Sequence, residues 1–128
     1  MTSDFKSLVV WQKAIDFTKR VYQLTSKFPK EEAYCLTSQI RRAVVSISSN
    51  IAEGCGRSSN PDLIRFLYYV FGSCKEVENQ LVISFELKYI NYEQYEKTNQ
   101  ECCMIGRKIN RLIRYLNEQT KRLKNKNR

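Results

Sequence analysis

The stretch Gln39-Ile40-Arg41-Arg42-Ala43-Val44-Val45-Ser46-Ile47-Ser48-Ser49-Asn50-Ile51-Ala52-Glu53-Gly54 decides the fold of this chain. Within it and just before it, Leu36, Ile40, Ala43, Val44, Ile47 and Ile51 recur at spacings of four and three, which places them on one face of a helix. Arg42, Ser46, Ser49 and Glu53 form a polar stripe elsewhere on the same helix. Serines and an asparagine crowded into its last turns give it poor intrinsic propensity, because these short side chains compete for backbone partners. Tertiary packing must then supply what propensity does not. Two readings of the small polar residues stay open: they let a neighbouring helix approach closely, or they present a polar surface to a partner or a second subunit.

Working outward, Val10, Ala14, Phe17, Val21, Leu24 and Phe28 repeat the same spacing, with Trp11, Ile15 and Tyr22 broadening the seam. Pro29 ends this helix, since the residue before a proline is pushed away from α geometry. The second helix is expected to begin near Glu31 or Glu32, acids that suit a positive helix N-terminus. Gly54 and Gly56 are expected to stop it. Asn60-Pro61-Asp62 reads as a start signal, a capping side chain followed by proline at the first helical position. The seam that follows is Leu63, Leu67, Val70, Cys74, Val77, Leu81 and Ser84. Asn91 with Gln94 makes a capping box for a fourth helix, whose seam is Tyr95, Thr98, Cys102, Ile105, Ile109, Leu112 and Leu116. The expected helices span about 9–27, 32–53, 61–87 and 92–118. Each is about 30 Å long, and the connections are short, so the predicted fold is all-α, an antiparallel up-down-up-down four-helix bundle. The bundle takes in residues 1–119, and 120–128 reads as a disordered or frayed basic tail.

A chain of 128 residues with only four glycines and two prolines suits one domain of long helices rather than a turn-rich β architecture. No run is long enough to cross a bilayer, and Met1-Thr2-Ser3-Asp4-Phe5-Lys6 lacks a signal-peptide pattern, so a cytoplasmic protein without membrane association is expected. The five cysteines (Cys35, Cys55, Cys74, Cys102 and Cys103) leave one over from any pairing and form no C-x-x-C. They read as free thiols. Cys74 and Cys102 fall on apolar seams, and Cys55, between two glycines, is the exposed candidate for redox chemistry.

No catalytic constellation is present. The chain has no histidine, so the usual general base near neutral pH is missing, as is any common zinc site. Gly54-Cys55-Gly56-Arg57-Ser58-Ser59 resembles a phosphate-cradling loop in composition only; it lacks the lysine, the spacing and the preceding strand. No enzyme activity, metal or cofactor is expected. Charge is the informative property. Of the net +9, residues 105–128 hold +8, nine basic residues against Glu118 alone. Arg107, Lys108, Arg111 and Arg114 lie opposite the apolar seam of the fourth helix, and Lys121, Arg122, Lys124, Lys126 and Arg128 continue the charge. One-signed charge over this length suits contact with RNA or DNA; the bland alternative is a solvated face with a solubilising tail. Arg41 and Arg42 are expected to pair with Glu53, Glu76 or Glu78 inside the bundle. The tyrosines could stack on bases, although on amphipathic helices most serve core edges or interfaces.

The motif residues also carry a resemblance. Leu8-Val9-Val10-Trp11-Gln12-Lys13-Ala14, Phe28-Pro29 with Glu32, Gln39 to Ala43, Ser46-Ile47, Asn50 to Gly54, Arg57, Arg65-Phe66-Leu67, Gly72-Ser73 and Glu76 occur in order over roughly residues 8–116. Together they are similar to the four-helix-bundle proteins encoded by intervening sequences in bacterial 23S ribosomal RNA genes, the S23-type proteins. Trp11, Gln39, Arg41, Arg42, Asn50, Glu53, Gly54 and Arg57 are the motif residues that the resemblance marks as structural or interfacial. Ser48 stands where that family usually has proline, Cys35 where it has glycine and Val70 where it has alanine. Without the proline there is no reason to expect a kink in the second helix. The resemblance implies assembly as a homopentamer. A more distant likeness, to accessory proteins of diversity-generating retroelements, implies nucleic acid and a reverse transcriptase as partners. The expected function is thus a non-enzymatic, oligomeric, nucleic-acid-associated protein. The alternatives are a protein-interaction scaffold or accessory subunit, and a membrane-surface binder, which the tail disfavours because it lacks an apolar face.

Overall fold

The computed structural model describes residues 4–127; Met1 to Ser3, part of the N-terminus read above for a leader, and Arg128 lie outside the described residues. Four helices run through it: α1 (Val9–Thr25), α2 (Leu36–Cys55), α3 (Asn60–Glu86) and α4 (Tyr92–Lys126), with single 3-10 turns at Phe5–Ser7 and Lys30–Glu32. No strand occurs among the described residues. The helices pack in cyclic order, α1 on α2, α2 on α3, α3 on α4 and α4 back on α1. Side-chain pairings fix the directions. Gly54 meets Phe66 while Ser46 meets Ser73, so α2 and α3 run opposite ways. Phe85 stacks on Tyr95 while Cys102 reaches Cys74, so α3 and α4 do too. The result is the antiparallel four-helix bundle expected from the spacing of apolar residues.

The core follows those seams closely. Leu36, Ile40, Ala43, Val44, Ile47 and Ile51 of α2 are all buried, as is every member of the α3 seam from Leu63 to Ser84. Each fully buried aliphatic side chain, Leu67 or Ile47 for example, contributes about 1.5–3 kcal/mol. Ile113 joins the α4 seam, and Leu24, Tyr95 and Leu112 sit half-buried at its margins. With Ser48 in place of proline, α2 is an unbroken helix from Leu36 to Cys55, and the Ser48 hydroxyl bonds to the Val45 carbonyl.

Several boundaries differ from expectation. α1 stops at Thr25, where the Phe28 N–H turns back to the Thr25 carbonyl at 3.0 Å. α2 begins at Leu36, four residues later than expected, because Lys30–Glu32 forms a 3-10 turn and Cys35 leaves helical geometry at φ −120 and ψ −105. Glu32 is thereby free to accept a hydrogen bond from the Tyr89 hydroxyl at 2.9 Å, tying this connection to the end of α3. At the start of α3 the cap is Ser59, which accepts from the Asp62 N–H, and Asn60 is already helical. The Asn91–Gln94 capping box forms as expected.

Two larger corrections concern glycine and the tail. Gly54 is helical and buried, and no glycine among the described residues has positive φ. Its role is contact: a Cβ there would lie 2.9 Å from the Phe66 Cβ and 3.0 Å from Leu63 Cδ1. The second correction is that residues 120–126 are not a frayed tail, because α4 continues through Lys126. Extending an existing helix adds one hydrogen bond per residue with no new nucleation cost, and no glycine or proline interrupts this segment. Lys124 and Lys126 in the last turn also suit the negative end of the helix dipole.

Candidate nucleic-acid interface

The α2 motif is largely absorbed by the fold. Arg41 donates from Nε to Thr25 Oγ1 at 2.9 Å and from Nη2 to the Tyr22 carbonyl at 3.3 Å, and its guanidinium lies 4.5 Å from the Tyr22 ring centre. It therefore adds a further donor to the Tyr22 carbonyl, which already accepts from the Ser26 N–H at 3.0 Å, and places a cation at the C-terminal end of α1. The expected pairing of Arg41 and Arg42 with Glu53, Glu76 or Glu78 does not form among the described residues. Glu53 pairs with Arg57 at 3.1 Å and Glu78 with Lys75 at 3.1 Å, both close neighbours on the same helix or its end. Asn50 donates back to the Ser46 carbonyl at 2.8 Å, and Ser46 bonds to Ser73 of α3 at 2.6 Å. Arg57 also covers the Phe66 ring at 4.6 Å, and half-buried Trp11 meets Phe5 edge-on.

Two shallow grooves flank α2. One, of ≈ 360 Å³, lies against α3 and is lined by Gln39, Arg42, Ser46, Ser73, Glu76 and Gln80. The other, of ≈ 820 Å³, runs along the outer face past Tyr34, Val45, Ser49 and Glu53. Gln80 is buried and its Oε1 has no hydrogen-bond partner. Gln80 is not among the seam residues named above, yet its place three residues after Val77 and one before Leu81 marks it as inward-facing.

All five cysteines are free. Cys55 is buried rather than exposed, because the α2 helix runs on through it, and burial pushes its thiol pKa up. The Cys102 thiol is raised by its hydrogen bond with Cys74 and by burial. Burial followed by a contact with Glu78 raises Cys103. Raised values hold these groups as unreactive thiols, and Cys35 is the one left exposed.

α4 presents the opposite picture. Arg107, Arg111, Arg114, Lys121, Arg122, Lys124 and Lys126 are exposed and Lys108 is half-buried. Among the described residues none of these eight joins an ion pair. Other basic residues of the bundle are also unpaired, but these are set apart by having Glu118 as the one acid in residues 105–128. The bundle brings Arg107 to Arg114 onto one solvent-facing side because Ile105, Ile109, Ile113 and Leu116 take the inner side. Exposed tyrosines are scattered: Tyr115 lies on the basic face, while Tyr68, Tyr69 and Tyr92 lie elsewhere. No helix of the described residues is long and apolar enough to cross a membrane.

This architecture has counterparts. The sequence pattern of 23S rRNA-intervening sequence proteins matches residues 6–111. A crystal structure of a protein of unknown function from the S23 ribosomal protein family of Bacteroides thetaiotaomicron VPI-5482 superposes with a TM-score of 0.77. It is 28% identical, and the match covers 82% of this chain and 98% of that one. No curated protein matches the chain. With the family's sequence pattern matching residues 6–111 and the fold shared with a protein of the S23 family, the chain belongs to the family of 23S rRNA-intervening sequence proteins.

Proposed function

We propose that this protein is a non-enzymatic nucleic-acid-associated protein that grips a phosphate backbone with the outer face of α4. The supporting observation is the row of eight basic side chains from Arg107 to Lys126 without an ion-pair partner among the described residues. Cations held on a rigid helix and left unneutralised are poised to displace counterions from a polyanion. The family's description, 23S rRNA-intervening sequence protein, supports a nucleic-acid context.

The protein works as a homo-oligomer in this reading, a pentamer by the resemblance. Of the large aromatics flanking the seams, Phe66 is buried and Trp11 and Phe71 are half-buried within one chain. Tyr22 and Tyr69 remain exposed, joined by Val45, Val82, Ile83 and Leu87. These side chains support burial between subunits. Repeating the basic face around one particle lets modest contacts sum through avidity.

The test is an anisotropy titration of labelled oligonucleotide over a salt series. Each phosphate neutralised contributes about −0.9 on a duplex to the slope of log affinity against log salt. Arg107→Gln, Arg111→Gln and Arg114→Gln together should flatten that slope by about three and weaken binding at least tenfold at low salt. Undetectable binding by the wild type at low salt would leave an interaction scaffold as the better account. A 15.2 kDa monomer by light scattering at micromolar concentration would remove the oligomer.

A further inference from the structure

The basic row on α4 changes character where the helix leaves the bundle. Leu116 is the last buried residue of α4; Gln119 and Thr120 are half-buried and residues 121–127 are all exposed. The α3–α4 pairings, Phe85 with Tyr95 and Cys74 with Cys102, put the start of α3 at Asn60 level with about Asn117. From there to Lys126 the helix runs on for about 13 Å, and past Thr120 every described side chain is exposed.

The arrangement of charge differs on the two sides of that point. At 3.6 residues per turn, Arg107, Lys108, Arg111 and Arg114 fall within an arc of about 120°. Lys121, Arg122, Lys124 and Lys126, freed from a buried side, spread over about 200° of the circumference. The packed half can meet one phosphate backbone, whereas the projecting half can meet phosphates on two sides at once. Leu123, 59% exposed on the projection, is the apolar side chain carried among these cations.

We propose that the projecting end of α4 seats in the major groove of duplex DNA, an inference that rests on the reading of α4 as the nucleic-acid interface. A bare helix is about 10–12 Å across with its side chains, and the B-form major groove is about 12 Å wide with a phosphate backbone on either wall. The cations of the projection reach both walls. Arg107, Arg111 and Arg114 then lie on the backbone just outside the groove. Leu123 offers the apolar contact that a thymine methyl accepts. A-form RNA has a major groove too deep and narrow for a helix, and a single strand has only one backbone to offer. Lys124 and Lys126 offset the negative end of the helix dipole, which would otherwise repel the groove walls.

The experiment compares a DNA duplex of about two turns, an RNA duplex of the same sequence and the single DNA strand, all labelled and titrated with full-length protein. Wild type should bind the DNA duplex about tenfold tighter than either other form at matched salt. The variant carrying Lys121→Gln, Arg122→Gln, Lys124→Gln and Lys126→Gln should lose that preference to within about twofold, while Arg107→Gln, Arg111→Gln and Arg114→Gln should weaken all three forms alike. Circular dichroism confirms that each variant keeps its helices. Equal wild-type binding to RNA duplex or single strand, or a preference that survives the Lys121 to Lys126 changes, overturns groove insertion and leaves the interface standing. Absence of binding to all three forms at low salt overturns the interface, and the insertion with it.

Discussion

Arg41 on α2 and Arg111 on α4 are the same residue type on helices of one bundle, and they have opposite fates. Arg41 spends its donors on Thr25 and the Tyr22 carbonyl and lays its plane on the Tyr22 ring. Arg111 is exposed and has no ion-pair partner among the described residues. The difference lies in what faces each helix. Each helix packs between two others, but Arg41 lies at the α1 seam beside Thr25 and Tyr22, while Arg111 lies on the side of α4 that faces solvent. A basic residue in a family motif can be a structural cap, and one in an unremarkable charge run can be the available contact.

The strongest way to break this picture is at Gly54. If α2 is defined by close packing, Gly54→Leu should destabilise the fold by about 3 kcal/mol, since the added side chain overlaps Phe66 and Leu63. Urea unfolding reads this directly, and an unchanged midpoint would show that α2 and α3 do not meet as described. Next comes the pair itself. Arg41→Gln should cost about 1–2 kcal/mol by losing two hydrogen bonds and a cation–π contact, with nucleic-acid affinity unchanged. Arg111→Gln should leave stability within about 0.5 kcal/mol and lower affinity. A reversal of either result would exchange the two roles.

The cysteines sharpen the contrast between interior and surface. A thiol reagent should modify Cys35 in the folded protein at once, reach Cys74 and Cys102 only on unfolding, and count five thiols in denaturant. Since Cys102 and Cys103 have raised pKa values in the fold, the stability they contribute is present below the ordinary thiol range and lost as pH rises through their folded values. Unfolding midpoints should therefore fall at alkaline pH, and Cys103→Ser should reduce that slope. The smallest effect is expected at Gly72, exposed on α3 with nothing within 4 Å of an added Cβ. Gly72→Ala should stabilise by about 0.5–1 kcal/mol through helix propensity alone. Together with Gly54 it tests whether a helical glycine matters for contact or merely for backbone freedom.

The helices and their buried faces can be read from residue order alone. Apolar residues at spacings of three and four identify the side of each helix that leaves water, and this periodicity needs no knowledge of the neighbour. The Asn91–Gln94 box and the excess charge after Ile105 were legible for the same reason, since both are local. Which residue meets which depends on how the helices pack. Gly54 looks like a terminator in one dimension and becomes a contact point only once Phe66 lies across from it. Arg41 could be paired on paper with several acids, but the carbonyl at the end of α1 is closer than any of them, and short range decides hydrogen bonds. The reach of α4 past the bundle was hidden as well, because a helix that continues without burying anything carries no periodic signature; its persistence comes from propagation off a packed stem.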